Sequence, residues 1–412
     1  MRIVGNFGIV GRMRNLASVR RAPSRAWSLD AWLWTGTLLA AALAAYARFS
    51  GAGAVFQFLA AVAGVGFTAT VLGRAIDQVT GRLSANAVGL FQAVTGNIPE
   101  LIIGTFALIQ GLDSVVIATI AGSALNLLLF SNGAAYIAGG IRHGTLPVNT
   151  RTALNACGML VVMVAILVMP AIAVRLHTPA QGHQQAISFI VAAALLTVFV
   201  VALPDALRSS NGYAAVDLGP EGDPAGQVPA PPPLGIFPGL PGHTRRPAGA
   251  GTTAEPPGKR WPLRRSLTLM VVSGLLLGEE ADWLTQPLSS AVAQLHISQT
   301  FAGLFLLAVV NNLSQVAPAV RLALHGDADT AVAINNQGAL QLILMVAPIL
   351  MLISPLTGAH NFTLVFSPLM AIAMVMTTML VVFVVLDGIA NVLEGVMLIA
   401  MYAVLASLFA WN

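Results

Sequence analysis

Apolar residues run along this chain in blocks of roughly 18 to 25 positions separated by short polar breaks, long enough to cross about 30 Å of hydrocarbon as helix. Eleven such blocks predict eleven helices, near 30 to 47, 52 to 73, 86 to 109, 114 to 138, 151 to 174, 184 to 204, 265 to 287, 299 to 322, 329 to 353, 363 to 386 and 390 to 410. Six precede a long interruption at 208–262 and five follow it. That interruption holds 12 of the 23 prolines and ten glycines, in runs such as Pro229-Ala230-Pro231-Pro232-Pro233. It cannot bury a core and reads as a disordered or polyproline linker. The pattern divides the chain into an arm (1–29), a first membrane half (30–207, core 86–138), the linker (208–262) and a second membrane half (263–412, core 299–353).

Composition makes the solvent a bilayer. Of 412 residues, 57% are hydrophobic and 9% charged, against about 25% charged in an ordinary soluble domain. The expectation is an all-α integral membrane protein. With the N-terminus in the cytoplasm, eighteen of the twenty Lys and Arg fall on cytoplasmic segments, leaving only Arg48 and Arg175 outside. Such a partition supports both the orientation and the helix count. The arm carries Arg2, Arg12, Arg14, Arg20, Arg21 and Arg25 without an acid or the apolar core of a signal peptide, and reads as a basic cytosolic arm; a bacterial plasma membrane is the expected host. The bases gather in loops, so the formal net charge of +4 does not suggest a nucleic-acid partner. The single cysteine, Cys157, lies inside an apolar block, and the seven histidines fall in loops or at block ends without metal-ligand spacing. No nucleophile elbow, phosphate loop or HExxH is present, so an enzyme and a catalytic residue set are not expected.

An internal repeat carries the polar residues of the apolar blocks. Gly96-Asn97-Ile98-Pro99-Glu100 and Asn311-Asn312-Leu313-Ser314-Gln315 lie 215 residues apart. The same offset pairs Gly122-Ser123-Ala124-Leu125-Asn126-Leu127-Leu128-Leu129 with Gln337-Gly338-Ala339-Leu340-Gln341-Leu342-Ile343-Leu344, four of eight positions being identical. Each half is then a five-helix unit, preceded by one extra helix at the N-terminus. Five is odd, so the second unit crosses in the opposite sense, the plan of secondary transporters whose sites form near the midplane. Asn97 and Glu100, Ser123 and Asn126, and Asn312 and Gln315 are spaced i, i+3, and Gln337 and Gln341 i, i+4, placing each pair on one helical face. Pro99 and Pro318 remove amide donors beside Glu100 and Gln315, which is expected to free carbonyls for a cation. Glu100 is the pivotal residue: a carboxyl in mid-span can hold a cation when ionised and a proton when neutral.

At these residues the sequence resembles the calcium/proton exchanger (CAX) family of the cation/calcium exchanger superfamily. Gly96-Asn97-Ile98-Pro99-Glu100-Leu101-Ile102 matches its G-N-x-x-E-L-I core. Gln341 to Pro348 is similar to its Q-I-A-L-F-V-A-P, and Asp387-Gly388 with Asn391 and Leu393-Glu394-Gly395 to its D-G-x-x-N-x-L-E-G. The resemblance spans roughly 30 to 205 and 265 to 410 and implies the superfamily's eleven-helix fold and exchange of a cytosolic cation for protons. In the second repeat Gln315 stands where the family has an acid, and Gln337-Gly338 where it has Gly-Ser.

The expected cation and proton site is Glu100, Asn97, Ser123 and Asn126 with Asn312, Gln315 and Gln341 from the inverted repeat. Asp387 and Glu394 are possible secondary acids. Glu279, Glu280 and Asp282 are expected at a solvated outer helix end, as is Asp205 at an inner one. No cofactor is expected, only transported Ca2+, or Na+ or K+, and H+; the partners are these ions and the lipid bilayer. The leading expectation is a Ca2+/H+ antiporter. A monovalent cation/H+ antiporter, or a non-transporting homologue serving as a membrane scaffold, are the alternatives.

Overall fold

The computed structural model describes residues 25–83, 91, 95–214 and 261–410. The arm up to residue 24, part of the third block and linker residues 215–260 lie outside this description. Helices follow one another as α1 (Arg25–Phe49), α2 (Ala54–Thr80), α3 (Ile98–Ile109), α4 (Asp113–His143), α5 (Thr150–Arg175) and α6 (Gln184–Ala214). The second half adds α7 (Leu263–Leu295), α8 (Gln299–Asn311), α9 (Leu313–Leu324), α10 (Ala328–Thr357), α11 (Pro368–Val385) and α12 (Val392–Ala410). Among the described residues, seven helices are long and apolar enough to cross a membrane, and the pair α8 and α9, bent by 59°, makes an eighth. α1, α3 and α7 occupy the three remaining expected blocks.

The repeat is visible in the helix boundaries. α3 and α9 have both ends 215 residues apart, as do the starts of α4 and α10 and the ends of α2 and α7. α4 and α10 each contain a π-helical stretch, Asn126–Ser131 and Leu342–Val346, that widens the helix just where the repeated polar residues lie.

Contacts between helix ends sort the molecule into two faces. On one face Asn149 N donates to Asp329 Oδ1 at 3.0 Å, the Arg82 guanidinium donates to the Trp261 carbonyl, and Leu146–Pro147 forms a two-residue antiparallel ladder with Ile389–Ala390. On the other, Arg48 donates to Gln286, Gln110 Nε2 to Asp282 at 3.4 Å, and Ser298 Oγ to the Phe409 carbonyl at 2.8 Å. The first face also carries Arg142, Arg151 and Arg321 and is called the Arg-rich face below; the second is the Arg-poor face. Crossed in turn, the eleven blocks expected from the sequence put each of these contacts on a consistent side.

Burial is graded from the middle outwards. α4 is the most enclosed of the spans and α10 follows, whereas peripheral side chains such as Phe383 and Leu393 are 68% and 70% exposed, as lipid-facing positions require. The halves meet by close backbone approach. A Cβ on Gly122 of α4 would lie 2.2 Å from the Leu304 carbonyl oxygen of α8, and one on Gly303 would lie 2.7 Å from Ala118 Cβ. Small residues permit this crossing, the usual device where lipid removes the hydrophobic drive between helices.

Two expectations need correction. α7 does not end near residue 287 but runs through 33 residues to Leu295, because Leu284, Leu288, Ala291 and Val292 continue its buried stripe. Glu280 is therefore not a solvated terminal acid; it is fully buried in mid-helix, while Glu279 stays exposed. The prolines were expected to free carbonyls beside Glu100 and Gln315; the break in the eighth crossing falls at Asn312, and Pro318 sits inside a continuing α9. Likewise Pro99 occupies the first turn of α3, where an amide proton has no intrahelical acceptor to lose.

The Gly122 crossing sets a test. Gly122→Ala puts a methyl group against backbone that cannot give way, and is expected to cost about 3 kcal/mol. Gly158→Ala, whose Cβ meets nothing within 4 Å, should change stability by under about 0.5 kcal/mol. Thermal unfolding of the two variants in detergent measures the difference.

Candidate functional site

The two helix breaks bring the repeated motifs to the middle of the bundle. Asn97 caps α3 and Asn312 caps α9, each with a non-helical backbone and without a cap hydrogen bond from its own side chain. One turn on, α3 presents Glu100 and α9 presents Gln315. α4 and α10 cross these breaks with Ser123 and Asn126 on one and Gly338 and Gln341 on the other.

Hydrogen bonding in this cluster is one-sided. Asn97 Nδ2 donates to Gln341 Oε1 at 3.2 Å, Asn312 Nδ2 to the Ser123 carbonyl at 3.2 Å, and Asn126 Nδ2 to Tyr402 Oη at 3.3 Å. The oxygens of the same three amides have no partner among the described residues, and neither do Glu100 Oε2 and Ser123 Oγ. All five side chains are buried, Glu100 at 5% exposure and the others at 1% or less. Burying an acceptor without a donor costs roughly 1 to 3 kcal/mol each, so a cluster of them is chemically suited to a positive guest. Glu100 and Ser123 line one small pocket with Thr119 and Val346, closed by Leu350.

The expected residues thus fall into linked groups. Glu100 meets Ser123, Ser123 is tied to Asn312, and Asn97 is tied to Gln341. Asn126 starts the π-helical stretch and reaches α12 through Tyr402. Gln315 faces Gly338: a Cβ there would lie 2.4 Å from Gln315 Oε1. The two departures in the second repeat are therefore one feature, an amide lodged in the space that a missing side chain opens. Asp387 and Glu394 are not brought to the cluster. Asp387, exposed, accepts from Ile389 N at 3.0 Å, and Glu394 Oε2 accepts from Asn391 N while Glu394 N donates to Asn391 Oδ1, a reciprocal cap at the start of α12.

Several buried polar residues escaped the sequence reading. Ser131 Oγ donates to Asn335 Oδ1 at 2.9 Å, Asn335 Nδ2 to Asn132 Oδ1 at 2.7 Å, and Asn132 Nδ2 to Asn336 Oδ1 at 3.4 Å, tying α4 to α10. The offset of 215 pairs none of these with a polar partner of matching spacing, so the repeat gave no signal for them. Asn311, 1% exposed with both side-chain polar atoms unpartnered, was visible as part of the motif but stood where the family has glycine. A cavity of about 80 Å3 opens near the Arg-rich face between α5 and α10, lined by Thr152, Ala153, Asp329, Val332, Asn336 and Gln337. Gln337, on the lining of this cavity, lies one helical turn before Gln341.

This arrangement can be compared with known proteins. The family described as sodium/calcium exchanger protein matches residues 53–204 and 265–411, both halves and not the linker. The chain belongs to the sodium/calcium exchanger protein family. It is thus a membrane transporter rather than an enzyme. Within this family it is 28% identical over 376 residues to a Ca2+/H+ antiporter of Synechocystis, covering 89% of this chain and 94% of that one. It is 25% identical over 340 residues to the Ca2+/H+ antiporter ChaA of Bacillus subtilis, covering 82% and 87%. The fold matches the structure of native YfkE with a TM-score of 0.72 at 21% identity, covering 92% of this chain and 100% of that one. A structure of the H+/Ca2+ exchanger CAX matches with a TM-score of 0.61 at 11% identity, covering 93% and 92%. The fold class expected from the sequence, two inverted helical repeats in an all-α membrane protein, agrees with these exchangers.

The pairing of Gln315 with Gly338 is testable. Gly338→Ala is expected to push the Gln315 amide out of its seat and to weaken cation binding several-fold. The double variant Gly338→Ala, Gln315→Ala removes the clash and should recover the stability lost by Gly338→Ala alone. Thermal shift with and without added cation reads both effects.

Proposed function

We propose that the protein exchanges Ca2+ for H+ across its membrane, with Glu100 binding the cation when ionised and a proton when neutral. The carrying observation is the cluster at the repeat junction, where the side-chain nitrogens of Asn97, Asn126 and Asn312 are engaged and the oxygens of the same amides, with Glu100 Oε2, are left over. Oxygen acceptors of this kind, beside a carboxyl, are ligands for a hard cation. The names of the Synechocystis and Bacillus subtilis relatives support the choice of Ca2+ and H+. The orientation is proposed with the Arg-rich face in the cytoplasm, from the partition of Lys and Arg.

In the working cycle the cation reaches the cluster from the Arg-rich face, and the cavity between α5 and α10 is the marked approach. Asn97, Ser123, Asn126, Asn312 and Gln341 supply neutral oxygens and Glu100 the charge. Exit on the opposite face leaves Glu100 to be neutralised by a proton, since a bare carboxylate is costly at that depth. The neutral site then returns.

One feature favours a second reading. Gln315 contributes a dipole where a second carboxylate would contribute charge, and at about 4 Å one such pair is worth roughly 4 kcal/mol at an effective dielectric near 20. A site with Glu100 alone also suits Na+ or K+ exchanged for one proton. The scaffold alternative leaves the unpartnered oxygens without a purpose.

In everted vesicles monitored with a pH dye, Ca2+ is expected to dissipate the proton gradient, and dissipation by Na+ but not Ca2+ would decide for the second reading. Glu100→Gln should abolish exchange under either; retained activity would show that the carboxyl is not the site. Gln315→Glu is expected to tighten Ca2+ at least tenfold, about 1.4 kcal/mol, in a binding titration.

A further inference from the structure

Glu280 belongs to none of the groups described so far. It lies midway along α7, 0% exposed, where α7 packs along α2 and beside α1. A Cβ on Gly64 of α2 would lie 2.8 Å from Glu280 Oε1 and 3.6 Å from Ala44 Cβ of α1. The carboxyl therefore fills a slot at the junction of three helices that only a glycine leaves open. Thr68, one turn further along α2 and itself 0% exposed, is the polar side chain beside it. Neither Glu280 oxygen nor Thr68 Oγ1 has a hydrogen-bond partner of good geometry among the described residues.

Among the described residues the surroundings provide no countercharge. α1 faces the slot with Ala44, and its Arg48 is engaged with Gln286 near the Arg-poor end. On α2 the nearest charged residues, Arg74 and Asp77, come six and nine positions after Thr68, toward the Arg-rich end. α3 turns Phe106 to Gly278 and Gln110 to Asp282, and its own acid, Glu100, lies at the repeat junction. On α7 itself Glu279 is exposed, and Asp282 accepts from Gln110 and Gln286. A carboxyl enclosed by apolar groups without a cation is tenable only in its neutral form. The slot holds the acid and leaves no room for a hydrated ion, so its ligand is a proton. The ionised form needs water, which the filled slot excludes.

We propose that Glu280 is a second proton-carrying carboxyl of the exchanger, distinct from Glu100, which exchanges its proton with water from the Arg-poor face. The polar groups Asp282, Gln286, Gln110 and Arg48 lead from that face to within a turn of it. The use of this proton in transport rests on the exchange reading above, whereas its binding does not. With Gln315 in place of an acid, Glu280 is also where this chain keeps a second buried carboxyl, so that two protons can balance one divalent cation.

The test uses the full-length protein in lipid vesicles. Infrared difference spectra between acid and alkaline pH should show two carboxyl C=O bands that titrate, one lost in Glu280→Gln and the other in Glu100→Gln. Gly64→Ala, which crowds Oε1 without altering the acid, should shift the midpoint of the Glu280 band alone, and serves if Glu280→Gln folds poorly. In transport, the number of protons exchanged per cation, measured from the reversal potential, should fall by one in Glu280→Gln. Absence of a titrating band assignable to Glu280 would overturn the proposal, since a merely structural acid stays protonated throughout. A band that titrates while the proton count stays unchanged would remove Glu280 from the cycle. Retained exchange in Glu100→Gln would instead defeat the exchange reading and leave the Glu280 site standing.

Discussion

Everything at the centre of this protein depends on acceptor oxygens kept without donors in a medium that cannot hydrate them. An amide offers as many donors as acceptors, so a random cluster of buried asparagines would satisfy itself, as Asn132, Asn335 and Asn336 do a short way off. At the repeat junction the nitrogens are instead diverted to Gln341, Tyr402 and the Ser123 carbonyl, and the oxygens of Asn97, Asn126 and Asn312 are left over. The breaks at Asn97 and Asn312 put these side chains at the ends of helices rather than along them, and the backbone contact of Gly122 with Leu304 holds the crossing. The fold reads as the support for that electrostatic asymmetry.

The two repeats agree in backbone and disagree in charge. Helix boundaries match to the residue at α3 and α9, yet one presents a carboxyl and the other an amide. The substitution is accommodated by its neighbour: the Gln315 amide occupies space that a side chain at 338 would take. The two departures of the second repeat are thus packed against each other. A second buried carboxyl stands instead on α7, at Glu280, where a glycine of α2 again makes the room.

Much of this was legible in the sequence. Apolar block length set the helices, the parity of five set the inversion, and the i, i+3 spacing of Asn97 with Glu100 and of Asn312 with Gln315 placed each pair on one face. What failed was tied to a single face of a helix. Glu279-Glu280 interrupts the hydropathy of α7 in a linear reading, so the helix was expected to end there. Only the packed arrangement shows that the buried stripe continues through Leu284 and Leu288 and that Glu280 points into it. Pro99 misled in a similar way: it was expected to free a carbonyl for a cation, whereas it sits in the first turn of α3, where no intrahelical bond is lost, and the chain breaks at Asn97 and Asn312. The network of Asn132, Asn335 and Ser131 joins residues about two hundred positions apart and leaves no mark in local spacing.

Inverted repetition gives the cavity between α5 and α10 a wider meaning. The offset of 215 turns α5 into α11 and α10 into α4, so the same seam exists a second time, facing the other way. The cavity between α5 and α10 therefore lies at one of two joints built to the same plan, its counterpart running between α4 and α11 toward the Arg-poor face. A single chain carries the same seam twice, once for each side of the membrane.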